Sequence, residues 1–351
     1  MQSYFEDDLK MILRNTKDCW GNLSNKTIFI TGGTGFFGIW LLMSYLYANK
    51  TLTLNSNIIL LTRNKNKFLN RYFWVNNYPE VSFIEGEIHD FQFPDFPIDF
   101  IIHAATEASA KLNEEEPLKM FNTIINGTKR VLDLAKLKNI KSILLTSSGA
   151  VYGKQPSEIE YLSENYLGAP IPSDYTSMYG EGKRMSEVLF STYHHQYKLP
   201  VKIARCYAFI GPYLPLDSHF AAGNFIRSVI NREDIIVNGD GTPFRSYLYA
   251  ADLAVWLWKI LFNGNINSPY NVGSNQSINI YDLAKIIAKS DPKYNKKIIV
   301  KKLKSDSESL RYVPCTRKAK NELGLEIFTN FNKSLTKTLE FYREKHNYIN
   351  F

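Results

Sequence analysis

The residues TGGTGFFG, Thr31 to Gly38, constrain this chain more than any other feature. They follow TIFIT (27–31), which reads as a buried strand, and they open FFGIWLLMSYLYANK (36–50), which reads as a helix. So tight a passage from strand to helix needs residues without a Cβ, and Gly32, Gly35 and Gly38 supply them. The turn then presents backbone N–H groups and the positive end of a helix dipole, a cradle for a pyrophosphate. The last glycine lets the helix pack close to the strand. A glycine-rich string is weak evidence alone; the strand–turn–helix context gives it its meaning.

The alternation continues downstream. NIILLT (57–62), VSFIEG (81–86), DFIIHAA (99–105), KSILLTSS (141–148) and VKIAR (201–205) have the near-continuous apolar character of strands buried on both faces. Helices are expected around 119–137 and 179–197. This α/β order predicts a doubly wound parallel sheet. Residues 4–19 precede it as a short amphipathic helix with Phe5, Leu9, Ile12 and Leu13 on one face. After Gly211 the strict alternation breaks. The expected organisation is an N-terminal helical extension (1–25), a dinucleotide-binding domain (26–210 plus about 243–265), and a smaller C-terminal substrate-binding lobe (211–242 and 266–351).

The 351 residues include 42 Lys and Arg against 34 Asp and Glu, so the formal charge is 42 − 34 = +8. With 44% apolar residues the chain is neither disordered nor collagen-like. Cys19, Cys206 and Cys315 are too widely spaced for a zinc knuckle or a disulfide framework, and no metal site is expected. The longest apolar run, Ile39 to Tyr47, contains Ser44 and is too short for a bilayer, and the acidic start MQSYFEDDLK has no secretory core. A cytoplasmic protein is expected, with no membrane partner. The basic stretch KKIIVKKLK (Lys296 to Lys304) alternates in strand fashion and reads as a solvated sheet edge; no interleaved aromatics point to nucleic acid.

MYGEGKR places Tyr179 and Lys183 four residues apart, on one face of a predicted helix. An ammonium near a phenol favours the phenolate, which lowers the tyrosine pKa toward a range useful for proton transfer. The same spacing recurs at Tyr281 and Lys285, but no serine-bearing strand precedes that pair, which reads as an ordinary amphipathic helix. Tyr179 does have such a strand: KSILLTSS ends in Ser147 and Ser148.

The G-x-x-G-x-x-G spacing of Gly32, Gly35 and Gly38, the Ser-Tyr-Lys set and several further segments resemble the extended branch of the short-chain dehydrogenase/reductase superfamily. Within it they resemble the NAD(P)-dependent nucleotide-sugar epimerase/dehydratase family. Those segments are FIEGEIHD (83–90), IIHAA (101–105), RCYAFIGP (205–212), VNGDGTPFRSYLYAADLA (237–254), YNVG (270–273) and RYVP (311–314). The resemblance covers about residues 26–340 and implies a Rossmann-like fold. It implies that Gly32, Gly35, Phe36, Phe37, Gly38, Thr62, Arg63, Glu87, Ile88, Ala104, Ala105 and Lys183 bind the cofactor, with Lys183 on the nicotinamide ribose. Ser148 would polarise the substrate oxygen, Ser147 being the less suitable hydroxyl, and Tyr179 would move its proton. Asn224, Arg245 and Arg311 would join Ser148 and Tyr179 in holding a nucleoside-diphosphate sugar, the arginines on the diphosphate. The loop Tyr213 to Asn224, with His219, would face the sugar. A homodimer through the exposed face of 179–197 and a place in polysaccharide biosynthesis follow by the same resemblance.

The sequence departs from that pattern in instructive places. NAD-binding relatives usually carry an acid at the end of the second strand; here Thr62 and Arg63 stand there, which suits the 2′-phosphate of NADP(H) over NAD(H). Where 4,6-dehydratases carry Asp-Glu, and UDP-glucuronate decarboxylases a glutamate, this chain has Gly149 and Ala150. Glu107, in HAATEAS, offers a substitute acid or base but reads rather as a surface loop residue, Ile124 replaces a common asparagine, and Cys315 replaces a common Asp and, with no cationic or catalytic neighbour pattern, reads as inert. Ser148, Tyr179 and Lys183 suffice for redox chemistry at one carbon. The expectation is therefore NADPH-dependent reduction of a nucleoside-diphosphate 4-keto-(6-deoxy)sugar at C4. The alternative is a nucleotide-sugar 4-epimerase with retained NAD, then a 4,6-dehydratase. Outside enzymes, the alternative is an inactive NADP-sensing or RNA-binding relative.

Overall fold

A computed structural model describes residues 3–106, 110–217, 220–303 and 309–349. His219 and Glu107 lie outside the described residues. The first half runs α1 (Glu6–Asn15), β1 (Thr27–Thr31), α2 (Phe36–Leu52), β2 (Asn57–Thr62), α3 (Lys65–Arg71), β3 (Val81–Glu85) and β4 (Phe100–His103). It continues through α4 (Ala110–Glu115), α5 (Pro117–Phe121), α6 (Gly127–Lys138), β5 (Ser142–Ser148), α7 (Met178–Tyr197) and β6 (Val201–Cys206). The second half comprises β7 (Phe209–Ile210), α8 (Ala221–Asn231), β8 (Ile235–Val237), β9 (Phe244–Ser246), β10 (Leu248–Tyr249) and α9 (Ala250–Asn263). β11 (Pro269–Val272), β12 (Ser277–Asn279), α10 (Ile280–Lys289), β13 (Ile298–Val300), β14 (Arg311–Tyr312), α11 (Arg317–Leu323) and α12 (Phe331–Ile349) complete it.

Seven parallel strands form one sheet in the order β11-β6-β5-β4-β1-β2-β3. Sequential strands run outward from β1 on one side and β4 on the other, so the carboxyl ends diverge at β1/β4 and leave a crevice there. The register pairs Thr31 with Leu61 and His103, and Ser148 with Cys206. Both faces are covered. On one, α2 and α9 bury Trp40, Trp256 and Trp258 with Trp20; on the other, α6 and α7 bury Val131, Leu132, Ala135 and Phe190. A separate cluster built from α8, β8, α10 and α12 forms the core of the smaller lobe. The N-terminal segment packs into the first of these cores through Phe5, Leu9, Ile12, Trp20 and Leu23.

Some elements are shorter than their sequence patterns suggest. α1 stops at Asn15, where the Thr16 hydroxyl turns back to the Ile12 carbonyl. β4 stops at His103 because Ala105 leaves the ladder and donates its N–H to the Thr31 hydroxyl, 3.2 Å away. The expected helix over 119–137 is interrupted: a π-helical turn at Asn122–Asn126 separates α5 from α6. Ile124, the residue in place of the common asparagine, is buried in that turn against Gly182 of α7. KKIIVKKLK contributes β13, which pairs only with β8 among the described residues.

Candidate active site

A large cleft of about 2020 Å³ opens at the carboxyl ends of β1, β2, β4, β5 and β6 and runs into the smaller lobe. Its floor begins at the glycine turn. Gly32 has φ +70°, and a Cβ there would sit 2.5 Å from the Ala104 carbonyl oxygen. A Cβ on Gly38 would sit 2.3 Å from Gly33, so α2 can start this close to β1 only with glycine. The cradle therefore fits a dinucleotide pyrophosphate at the N-terminus of α2. Phe36, Phe37, Thr62, Arg63, Glu87, Ile88, Ala104 and Ala105 all line the same cleft. Thr62 is buried, its hydroxyl accepting the Asn64 N–H; Arg63 is exposed and makes no hydrogen bond or ion pair among the described residues. The nearest carboxylate on the neighbouring strand, Glu85, is engaged by the Lys65 backbone N–H at 2.8 Å.

The three expected catalytic side chains converge in this cleft. Ser148 ends β5, and its oxygen accepts the Ala150 N–H at 3.1 Å while its hydroxyl lies beside the Tyr179 phenol, whose pKa it pulls down. Ser147 points elsewhere, donating to Glu187 at 2.6 Å, which separates the two serines by geometry. Lys183 is buried and donates to the Thr106 hydroxyl (2.7 Å) and the Thr146 carbonyl (2.8 Å). Burial lowers its pKa to about 8. The expectation that Lys183 lowers the Tyr179 pKa is not met in the protein alone: burial of the phenol raises it, Ser148 opposes, and Cys206 adds to the rise. The ammonium is held by Thr106 and Thr146, and desolvation of Tyr179 outweighs any pull toward phenolate. The N-terminus of α7 is fixed by Asn113 of α4, which accepts the Tyr179 N–H at 3.0 Å and donates to the Thr176 carbonyl.

Across the cleft, Asn224 on α8, Arg245 on β9 and Arg311 on β14 line the lobe side. β9 and β14 pair in parallel, with Tyr312 beside Arg245. The Arg245 guanidinium lies 5.9 Å from the centre of the Tyr312 ring, and the Arg311 guanidinium lies 4.6 Å from that of Phe244. The Arg311 Nε is buried without a hydrogen-bond partner among the described residues, a donor suited to an anionic oxygen. Cys315 is buried and accepts from the Arg317 Nε at 3.3 Å, so it does have a cationic neighbour, contrary to the sequence reading. Tyr281 and Lys285 lie on α10 and stack on each other, the ammonium 4.1 Å from the ring centre.

Two residues were not anticipated from the sequence. The Tyr207 ring covers Gly149, so that a Cβ at 149 would meet it at 2.7 Å. Tyr312 packs against Tyr207 with the rings tilted by 37° and their centroids 4.6 Å apart, and brings its hydroxyl 3.4 Å from Ser148. The only signal for Tyr312 was its place next to Arg311 in RYVP. The carboxylates lining the cleft among the described residues are Glu87, Asp174 and Asp217, and none hydrogen-bonds Ser148, Tyr179 or Lys183. Among the described residues no helix is long and apolar enough to cross a membrane.

Comparison with known proteins agrees with this geometry. The model of the NAD dependent epimerase/dehydratase family matches residues 28–273. The chain is 30% identical over 335 residues to UDP-glucuronic acid decarboxylase 5 of Arabidopsis thaliana, covering 94% of this chain and 92% of that protein. It is 29% identical to UDP-glucuronic acid decarboxylase 1 of Xenopus tropicalis, over 91% of this chain and 73% of that one. Among solved structures, the fold resembles UDP-glucose 4-epimerase from Thermotoga maritima (TM-score 0.76, 22% identity, 91% of this chain and 99% of that one). It also resembles UDP-glucuronic acid 4-epimerase from Bacillus cereus (TM-score 0.77, 20% identity, 91% and 99%). With its seven-stranded parallel sheet, its glycine cradle and a family match over most of its length, the chain belongs to the NAD-dependent nucleotide-sugar epimerase/dehydratase family.

Proposed function

We propose that this protein reduces a nucleoside-diphosphate 4-keto-(6-deoxy)sugar at C4, with NADP(H) as cofactor. The observation that carries this reading is that Ser148, Tyr179 and Lys183 line one cleft, with the Tyr207 ring, not a carboxylate, over Gly149. Moving a proton at a second carbon needs a second acid or base, and no carboxylate among the described residues is bonded into this centre. The dinucleotide supplies the hydride at C4. Tyr179 gives its proton to O4, Ser148 donates a hydrogen bond to O4 as negative charge develops there, and Lys183 holds the nicotinamide ribose. The buried setting of Ser148 and Lys183, with Tyr179 half-buried beside them, strengthens these interactions. Arg245, Arg311 and Asn224 hold the nucleotide diphosphate, and exposed Arg63 meets the 2′-phosphate. In this reading residues 26–210 with about 243–265 bind the dinucleotide, and 211–242 with 266–351 bind the sugar nucleotide.

A second reading is a 4-epimerase or decarboxylase with retained NAD. What favours it is the likeness to UDP-glucuronic acid decarboxylases over nearly the whole chain. Oxidation of a uronic acid at C4 gives a β-keto acid, which loses carbon dioxide without a dedicated base. Native mass spectrometry of the undialysed protein separates the two. An exchangeable site that prefers NADPH, with turnover of UDP- or dTDP-4-keto-6-deoxyglucose, supports reduction. One tightly held NAD per chain, with turnover of UDP-glucose or UDP-glucuronate, supports the second. We also propose a homodimer through α7, whose Met185 and Val188 are exposed; light scattering reads its mass.

A further inference from the structure

Ser148 has one proton and two acceptor lone pairs. One lone pair takes the Ala150 N–H at 3.1 Å. The Ser148 hydroxyl also has two phenol neighbours, Tyr179 and Tyr312. The Tyr312 hydroxyl, 3.4 Å from Ser148, has no other hydrogen-bond partner among the described residues, so Ser148 is the one acceptor they offer its proton. If Tyr312 donates, both lone pairs of Ser148 are filled and its single proton is left for Tyr179. We propose that Tyr312 is a positioning residue: by donating to Ser148 it fixes the Ser148 proton on Tyr179, or on the substrate oxygen that enters between them.

Several features place Tyr312 for this task. β14 pairs with β9 from the lobe side, so the residue reaches the end of β5 from across the cleft. Its ring packs against Tyr207, with centroids 4.6 Å apart, and the Arg245 guanidinium lies 5.9 Å from its centre. These contacts restrain the ring and set a positive charge near it. A hydrogen bond accepted by Ser148 polarises the one that it donates, so Tyr312 strengthens the bond from Ser148 to a developing phenolate or alkoxide. The titratable and charged groups around this chain of hydroxyls are Cys206 on β6, which faces both Tyr179 and Lys183, Lys183 on α7, Tyr207 beside Tyr312, and Arg245 on β9.

The role deepens the reductase reading and rests on it for its kinetic consequence; its geometric content is read without turnover. The full chain loaded with NADP⁺ is titrated with base, and phenolate absorbance is followed. Subtracting the matching Tyr179→Phe variant isolates Tyr179. Tyr312→Phe is expected to raise the Tyr179 midpoint by about half a unit to one unit. In a Ser148→Ala background the same substitution is expected to shift nothing. An unchanged midpoint in folded Tyr312→Phe, or an equal shift without Ser148, overturns the proposal. Tyr312→Met gives the same comparison should the phenylalanine variant fail to fold. With UDP- or dTDP-4-keto-6-deoxyglucose and NADPH, Tyr312→Phe is expected to lower kcat roughly five- to tenfold with little change in KM. Wild-type kcat in that variant also overturns the role. Wild-type protein inert on both sugars overturns the reductase reading, and the titration then decides Tyr312 by itself.

Discussion

At the scale of single residues, the reacting centre makes sharp demands. Tyr179→Phe removes the proposed proton donor and is expected to lower turnover by about 10²–10⁴-fold while leaving dinucleotide and nucleotide affinity intact, as calorimetry can check. Lys183, with its pKa lowered to about 8 by burial, carries its charge below that pH and loses it above. kcat/KM is therefore expected to fall as pH rises through about 8, and Lys183→Arg, which keeps its charge, should move that limb upward. Arg63→Ala removes a cation at the end of β2 that lines the cleft without a hydrogen-bond or ion-pair partner among the described residues. It is expected to cut the preference for NADP⁺ over NAD⁺ roughly 10- to 100-fold, the worth of one charge-assisted hydrogen bond. Fluorescence titration with each dinucleotide reads the ratio.

At the scale of elements, short-range pattern was a good guide wherever chain direction alone fixed the outcome. The cradle at Gly32, the parallel strands and the i, i+4 pair on α7 were legible because turn sterics and hydrophobic period act locally. Gly38→Ala puts a Cβ 2.3 Å from Gly33 and is expected to cost at least about 1–3 kcal/mol, with loss of dinucleotide binding, seen as a lower Tm that NADP⁺ does not restore. What pattern could not show was set by partners far along the chain. Tyr312 meets Ser148 across 164 positions, and Lys183 is held by Thr106 rather than by its neighbour in the motif. Asp252, on α9, is another such case. It accepts the Phe328 and Thr329 N–H groups with one oxygen, and burial raises its pKa to about 6. A carboxyl raised in the folded state stabilises fully below its unfolded value, and that stability is lost as pH rises through about 6. Chemical denaturation should show a loss of roughly 2 kcal/mol between about pH 4 and pH 7, absent in Asp252→Asn.

At the scale of the whole molecule, the segment from Phe5 to Leu23 is part of the main core. Phe5, Leu9, Ile12, Trp20 and Leu23 are all buried against α2, α9 and their neighbours. Asp8 also takes the Tyr249 hydroxyl at 2.8 Å and the Lys337 ammonium, which ties α1 to β10 and α12. Burying five such side chains contributes on the order of 10 kcal/mol, comparable to the net stability of a folded domain. Deleting residues 1–25 is therefore expected to leave a chain without a cooperative melting transition by calorimetry. The amphipathic pattern announced this helix; its docking site, assembled from α2, α9 and α12, could be seen only in three dimensions.

The contact of Tyr207 with Gly149 bears on how a protein like this one could change its chemistry over time. A side-chain carboxylate at 149 collides with a buried ring, so Gly149→Asp by itself is a damaged protein and not an intermediate on the way to a new catalyst. Only after Tyr207 has shrunk does that substitution become viable. Shrinking Tyr207 in turn removes the support under Tyr312. The order of events is thus imposed by packing, and a lineage settled on this arrangement would be held there by steric history as much as by selection for its product.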